Sequence, residues 1–252
     1  MYLYFEATAA LYSLTVLTGL LFIAGVLSSV ILWTKGKAQS LHHALNVPAV
    51  IKAFVLDVVL QVQILKISFI RWLMHFCIFI GFMGLLAQTS IMAFMSHFLP
   101  EDSAVAQTFF DYQGGAGARV LDVWGDVFGA MLLAGLLIAI TRRYVVRTKQ
   151  LDTISKDTLS LVFLTAIAVT GFVSEAFRLM DPQYSLVAEY SFAGNFLANV
   201  FESLGMNAMV FKVWVWVHAL ISFVFLAYIP FSKAWHIFVS PIEIVLDASE
   251  RT

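Results

Sequence analysis

The chain has 252 residues, 61% of them apolar and only 12% charged, where a soluble domain carries roughly 25% charged residues. Acids and bases nearly cancel at a net charge of -1, so there is no basic footprint for nucleic acid. A single cysteine, Cys77, excludes a disulfide framework and a Cys-rich metal or iron–sulfur site within the chain. A soluble enzyme and a disordered chain are both excluded, and a polytopic membrane protein fits.

A membrane-crossing helix needs roughly 20 mostly apolar residues. Five stretches qualify in chain order, at about 10–33, 72–96, 119–140, 158–179 and 209–232. Runs of this length are helices, because a helix satisfies its own backbone polar groups in lipid. The alternating ten-residue segments of a barrel do not occur. The expected fold is all-α, an integral membrane bundle of five transmembrane helices forming a single domain over 1–252. The first stretch reads as a retained helix rather than a signal peptide, because its bases, Lys35 and Lys37, follow it.

Placing the N-terminus outside and the C-terminus inside puts 12 basic residues on the inner side, among them Lys35, Lys37, Arg71, Arg142, Arg143 and Lys233. Only Arg119, Arg178 and Lys212 remain outside. That bias follows the positive-inside rule. The segment 47–68 is apolar enough to suggest a sixth span, but it carries Lys52, Asp57, Gln61, Gln63 and Lys66 around its circumference. Counting it as a span destroys the charge bias, so it reads as an inner-face helix lying at the interface or against a partner. The Gly-rich stretch 113–118 lacks the Lys-Ser/Thr ending of a phosphate loop and reads as a connection.

Six histidines occur: His42, His43, His75, His97, His218 and His236. His42 and His43 sit in a basic loop and read as solvated surface. The last helix holds His218 and His236, five full turns apart on one face and separated by roughly 27 Å. On the second helix His75 and His97 lie within about 40° of one face and roughly 33 Å apart. The two helices run antiparallel, so they can offer an inner pair, His75 with His236, and an outer pair, His97 with His218. Imidazole ligates iron well, and such pairs suit two stacked b-type haems conducting electrons across the bilayer. A covalent c-type haem is excluded, since C-x-x-C-H is absent.

Three segments resemble the respiratory nitrate reductase gamma-type cytochrome b family: RWLMHFCIFIGF (71–82), ITRRYVVR (140–147) with TGFVSEAFR (170–178), and WVHALISFVFLAYIPFSKAWHIFVSPI (216–242). The closer resemblance is to its heterodisulfide-reductase-like branch, which includes the cytochrome b subunit of the sulfite-reductase-associated Dsr membrane complex. It covers about residues 50–242, and the final-helix motif ending IPxSKxxH is its most specific part. The resemblance implies five helices with the N-terminus outside, and haem b. It implies electron exchange between a membrane quinone, such as menaquinone, and a cytoplasmic iron–sulfur partner, in sulfur-compound metabolism. Further membrane and outer-side subunits, and a location in a prokaryotic cytoplasmic membrane, follow from the same resemblance.

The resemblance also implies that the inner haem takes His75 and His236 and the outer haem takes His218. The nitrate reductase type has a second histidine ten residues after the first on helix two, where this chain has Leu85. The outer haem then takes His97 as its other ligand or is absent, for a count of two haems or one.

Asp122 and Asp126, four apart on one helical face, and Glu175 and Arg178, ending the fourth span, cluster at the outer side. They can line a quinone pocket, with a carboxylate taking quinol protons, or pair with one another and anchor the bundle. Arg178 can also neutralise a haem propionate, and the basic run 142–149 can hold inner propionates, dock a partner or simply anchor the helix end. Gly125 and Gly129 suit close helix packing. The competing function is a haem-free membrane anchor or quinone-binding subunit. A transporter is disfavoured, because no inverted repeat or matched broken helices occur.

Overall fold

A computed structural model describes residues 8–34, 46–100, 103–110, 115–146 and 155–250, without the side chains of 8–9, 32–34, 96–97, 110, 155–157 and 250. Among the described residues the structure is helical with no strand. Five helices are long and apolar enough to cross a membrane: Ala10–Ile31, Phe69–Met95, Ala116–Val145, Thr158–Leu179 and Ala208–Phe231. They coincide with the five expected stretches, and the chain is a multi-pass membrane protein. His42 and His43 lie outside the described residues, as does the side chain of His97.

The chain divides into two compact units, 1–73 with 149–163 and 219–252, and 74–148 with 164–218. In the first unit, α1 (Thr8–Thr34) exposes most of its large apolar side chains, among them Val16, Leu20, Ile23 and Leu27. In a bilayer that surface meets lipid at no cost. Gly25 is the exception: a Cβ there would collide with the ring of Pro230. Phe22 meets Trp235 and Phe238 edge-on at 6.1 and 6.0 Å.

The segment 47–68 is not one helix. Asn46 caps α2 (Val47–Ala53) by accepting from the Ala49 amide at 3.2 Å, with Pro48 in the first turn. A π-helical stretch, Phe54–Val59, follows, and then Gln61 takes a left-handed conformation at φ 53° before α3 (Val62–Ile67). Left-handed backbone is unfavourable for a non-glycine residue, and here it divides the segment into pieces too short to cross a bilayer. The Trp72 indole donates to the carbonyl of Leu60 at 2.7 Å beside the break.

In the second unit, which also holds the short helices α5 (Ala104–Phe110) and α8 (Ser185–Ala188), α4 (Phe69–Phe98) packs against α6 (Ala116–Ile140) from Met74 onward through glycines of both helices. A Cβ on Gly81 would lie 2.6 Å from the Leu132 amide nitrogen and 2.8 Å from the Phe128 carbonyl oxygen. A Cβ on Gly135 would lie 2.8 Å from the Ile78 nitrogen. Backbone meets backbone at both points, as small residues permit between helices in lipid. Of the two glycines expected to serve packing, Gly129 does so, since a Cβ there would lie 2.8 Å from the Phe172 ring, whereas a Cβ on Gly125 would make ordinary contact with the Gln88 side chain at 3.4 Å. Gly81→Ala is expected to destabilise the protein by ~1–3 kcal/mol through overpacking. Gly19→Ala, with open space around its Cβ, is the neutral control, and thermal unfolding in detergent compares them.

The last helix is not continuous, which corrects the expectation. α10 (Phe211–Tyr228) stops, a 3-10 turn spans Ile229–Phe231, Ser232 is extended, and a second 3-10 turn, Lys233–Trp235, leads into α11 (His236–Glu250). Pro230 cannot donate to the preceding turn, and the Ser232 hydroxyl oxygen accepts from the Ala234 amide at 3.1 Å to start the new one. The five-turn relation between His218 and His236 therefore does not hold.

Candidate functional site

His218 lies within the span Ala208–Phe231, half-buried on α10. The helix facing it is α7 (Ser155–Leu179), through its Thr170–Gly171 pair. The Thr170 hydroxyl oxygen is 3.0 Å from Nδ1 of His218. An ionisable side chain at this depth is costly without a partner or a function. One turn along both helices, Val173, Phe177, Phe201, Val210 and Trp214 line a cavity of about 400 Å3. Met206 and Asn207 complete it. Phe177 and Phe201 stack at 5.0 Å. The walls are apolar, with one amide at the edge, which suits a flat lipophilic molecule.

His75 is half-buried on α4, and Arg142 reaches the residue before it, with Nη1 3.7 Å from the Met74 sulfur. His236, in the other unit, is exposed at the start of α11. Its Nδ1 lies 2.5 Å from the carbonyl oxygen of Lys233. A carbonyl only accepts, so Nδ1 carries a hydrogen at this contact. Beside it the Trp235 indole nitrogen is buried with no hydrogen-bond partner among the described residues.

The four charged candidates converge within the second unit. Arg178 donates to Asp122 Oδ1 at 2.7 Å, and to Glu175 Oε2 from Nε at 3.0 Å and Oε1 from Nη2 at 2.5 Å. Its guanidinium also lies over the Tyr184 ring at 4.9 Å. Asp126 is nearly fully buried and sits where the chain turns into α9 (Phe192–Ser203). It accepts from the Ala193 amide at 2.6 Å, and the Ser191 hydroxyl lies 3.2 Å from both Asp126 Oδ2 and Glu175 Oε1. Carboxylate at a helix N-terminus is favourable. Ser191 and Ala193 carry no sequence signal of this role. Asp122 Oδ2 alone of these carboxylate oxygens is buried with no hydrogen-bond partner among the described residues.

Among the described residues no three His, Cys, Asp or Glu side chains gather around one metal-sized point. Axial ligation of a macrocycle needs only one or two such donors, so this arrangement is compatible with it.

The family model for HdrE, of the dihydromethanophenazine:CoB--CoM heterodisulfide reductase, matches residues 51–244. The corresponding heterodisulfide reductase proteins of Methanosarcina mazei and Methanosarcina acetivorans are each 27% identical over 214 residues, 84% of this chain and 72% of theirs. An EtfAB:quinone oxidoreductase from Syntrophomonas wolfei is 32% identical over 126 residues, 46% of this chain and 18% of its own length. No solved structure matches the chain. The matched region contains all five candidate spans but the first, and this multi-pass chain belongs to the HdrE family of heterodisulfide reductase membrane subunits.

Proposed function

We propose that the chain is a haem b membrane subunit of a heterodisulfide-reductase-like complex, passing electrons between a membrane quinone and an inner-side iron–sulfur subunit. Membership of the HdrE family supports a role as a membrane electron-transfer subunit with partner chains. The observation that carries the haem reading is His218, a mid-span histidine held through Nδ1 by a hydroxyl of the neighbouring helix. The donor set fits haem. His236 is oriented through Nδ1 by the Lys233 carbonyl, and the buried Trp235 indole donor beside it suits an acceptor such as a propionate.

Haem b supplies reversible one-electron storage when bound. On this reading His75, His218 and His236 would be haem ligands, with His97 as a further candidate. Arg142, beside Met74, is placed in sequence to meet a propionate of the inner haem. The N-terminus lies outside in this scheme, and the whole chain works as one domain in a prokaryotic cytoplasmic membrane.

The quinone head group enters the cavity between Val173, Phe201 and Trp214, one turn from His218. A lipophilic carrier is supported by the relatives' names, one pairing dihydromethanophenazine with CoB--CoM heterodisulfide and another naming quinone. Asp122, with an unpartnered oxygen, is the carboxylate suited to take a proton from quinol. Arg178, itself paired with Glu175, holds it in place, and Asp126 is the second carboxylate of the group.

The test is anaerobic mixing of the oxidised full chain in lipid nanodiscs with a short-chain quinol. The haem bands are expected to reduce at once, and Val173→Phe to slow that step roughly tenfold, as ~1.4 kcal/mol of obstruction would. Reduction by dithionite but not by quinol contradicts the quinone assignment. An unchanged rate in Val173→Phe moves the quinone out of this cavity.

A further inference from the structure

The Thr170 hydroxyl has one hydrogen. Its oxygen lies 2.7 Å from the Ala166 carbonyl oxygen, one turn back on α7, and 3.3 Å from that of Ile167. A carbonyl only accepts, so this back-bond takes the hydroxyl hydrogen. The same oxygen is 3.0 Å from His218 Nδ1, and with its hydrogen engaged it accepts there, while the Ile167 carbonyl also hydrogen-bonds the His218 ring. Nδ1 of His218 therefore carries the ring hydrogen, and the neutral imidazole keeps its lone pair on Nε2. Gly171 gives the ring its room: a Cβ would stand 3.3 Å from Cε1 and 3.7 Å from Nδ1. An adjacent pair on one helix thus supplies the acceptor and the clearance for a single imidazole.

We propose that Thr170 is the positioning residue of His218, fixing its tautomer, aiming Nε2 as an axial ligand and setting its donor strength, with Gly171 setting the ring plane. This role rests on the cytochrome reading. An acceptor on Nδ1–H makes the imidazole a stronger donor, which favours ferric over ferrous iron and lowers the reduction potential.

Thr170→Val removes the side-chain acceptor and keeps the shape, leaving the Ile167 carbonyl as the ring's backbone partner. It is expected to shift the ferric–ferrous balance of one haem about tenfold toward ferrous, a rise of about 59 mV for a one-electron couple. Thr170→Ser keeps the hydroxyl and should restore the original potential. Gly171→Ala keeps the acceptor but crowds the ring, so it is expected to change the ferric electron paramagnetic resonance signal at unchanged haem content.

The experiment is optical redox titration and ferric resonance spectroscopy of the full chain in detergent, wild type beside the three variants, with haem quantified in each. A raised potential in Thr170→Val that returns in Thr170→Ser supports the proposal. An unchanged potential in Thr170→Val with its haem retained overturns it. If Thr170→Val assembles without haem, Gly171→Ala decides: a shifted ferric signal supports the proposal and an unaltered one overturns it. A folded wild type without haem instead overturns the cytochrome reading, and the positioning role falls with it.

Discussion

Replacing His218 by alanine is expected to remove one haem from the chain and cut bound haem by about half if two are held. The side chain is the deepest histidine among the described residues of the spans, and its Nδ1 is committed to Thr170. His236→Ala is expected to remove the other haem. His97→Ala separates two ligand sets: loss of the same haem as in His218→Ala completes the outer pair, and full retention leaves His218 with a different partner. Haem quantified per polypeptide and the surviving reduced-minus-oxidised spectrum check all three variants.

Replacing Arg178 by methionine is expected to destabilise the protein by roughly 3–5 kcal/mol, the cost of leaving a buried partner charge unpaired. Arg178 and Asp122 are both about nine-tenths buried, and Arg178 is the guanidinium shared by Asp122 and Glu175. Glu175 is partly exposed at 26% of its side chain, so water relieves its share of the loss and Asp122 bears most of it. Pairing the change with Asp122→Leu should recover part of the stability, because the orphaned charge leaves with its partner. Unfolding in detergent, monitored by helical ellipticity, measures both variants. Equal stability of Arg178→Met and wild type would contradict a structural role for this network and favour one confined to proton transfer.

The spans are legible in the sequence because their signal is run length: lipid demands internally satisfied backbone, and five apolar stretches of sufficient length can only be helices. The charge on 47–68 likewise excludes a sixth span correctly. Its fragmentation at Gln61 is not legible, because a left-handed backbone at a glutamine is imposed by tertiary packing around Trp72 and Leu60, not by local preference. The break after Tyr228 does carry a signal. Ile229-Pro230-Phe231-Ser232 ends a helix by ordinary stop rules. The 18-residue histidine spacing runs straight across that signal, and the geometry built on it fails.

At the candidate site, the i, i+4 spacing of Asp122 and Asp126 and the pairing of Glu175 with Arg178 are readable, since helical period alone places them. Their convergence is what the structure adds. Ser191 and the Ala193 amide reach Asp126 across 65 and 67 residues, through a chain reversal that no local pattern encodes. The glycines that matter most between α4 and α6 also escape a reading of the sequence. Gly81 and Gly135 lie on different helices, and only the crossing itself reveals that their backbones meet.

The most direct measurement is a reduced-minus-oxidised optical spectrum of the purified full chain, with haem quantified per polypeptide. A membrane cytochrome b predicts a b-type α band and Soret shift with about one to two haems per chain. A folded, helical chain with no Soret absorbance would contradict it and leave a haem-free membrane anchor in its place.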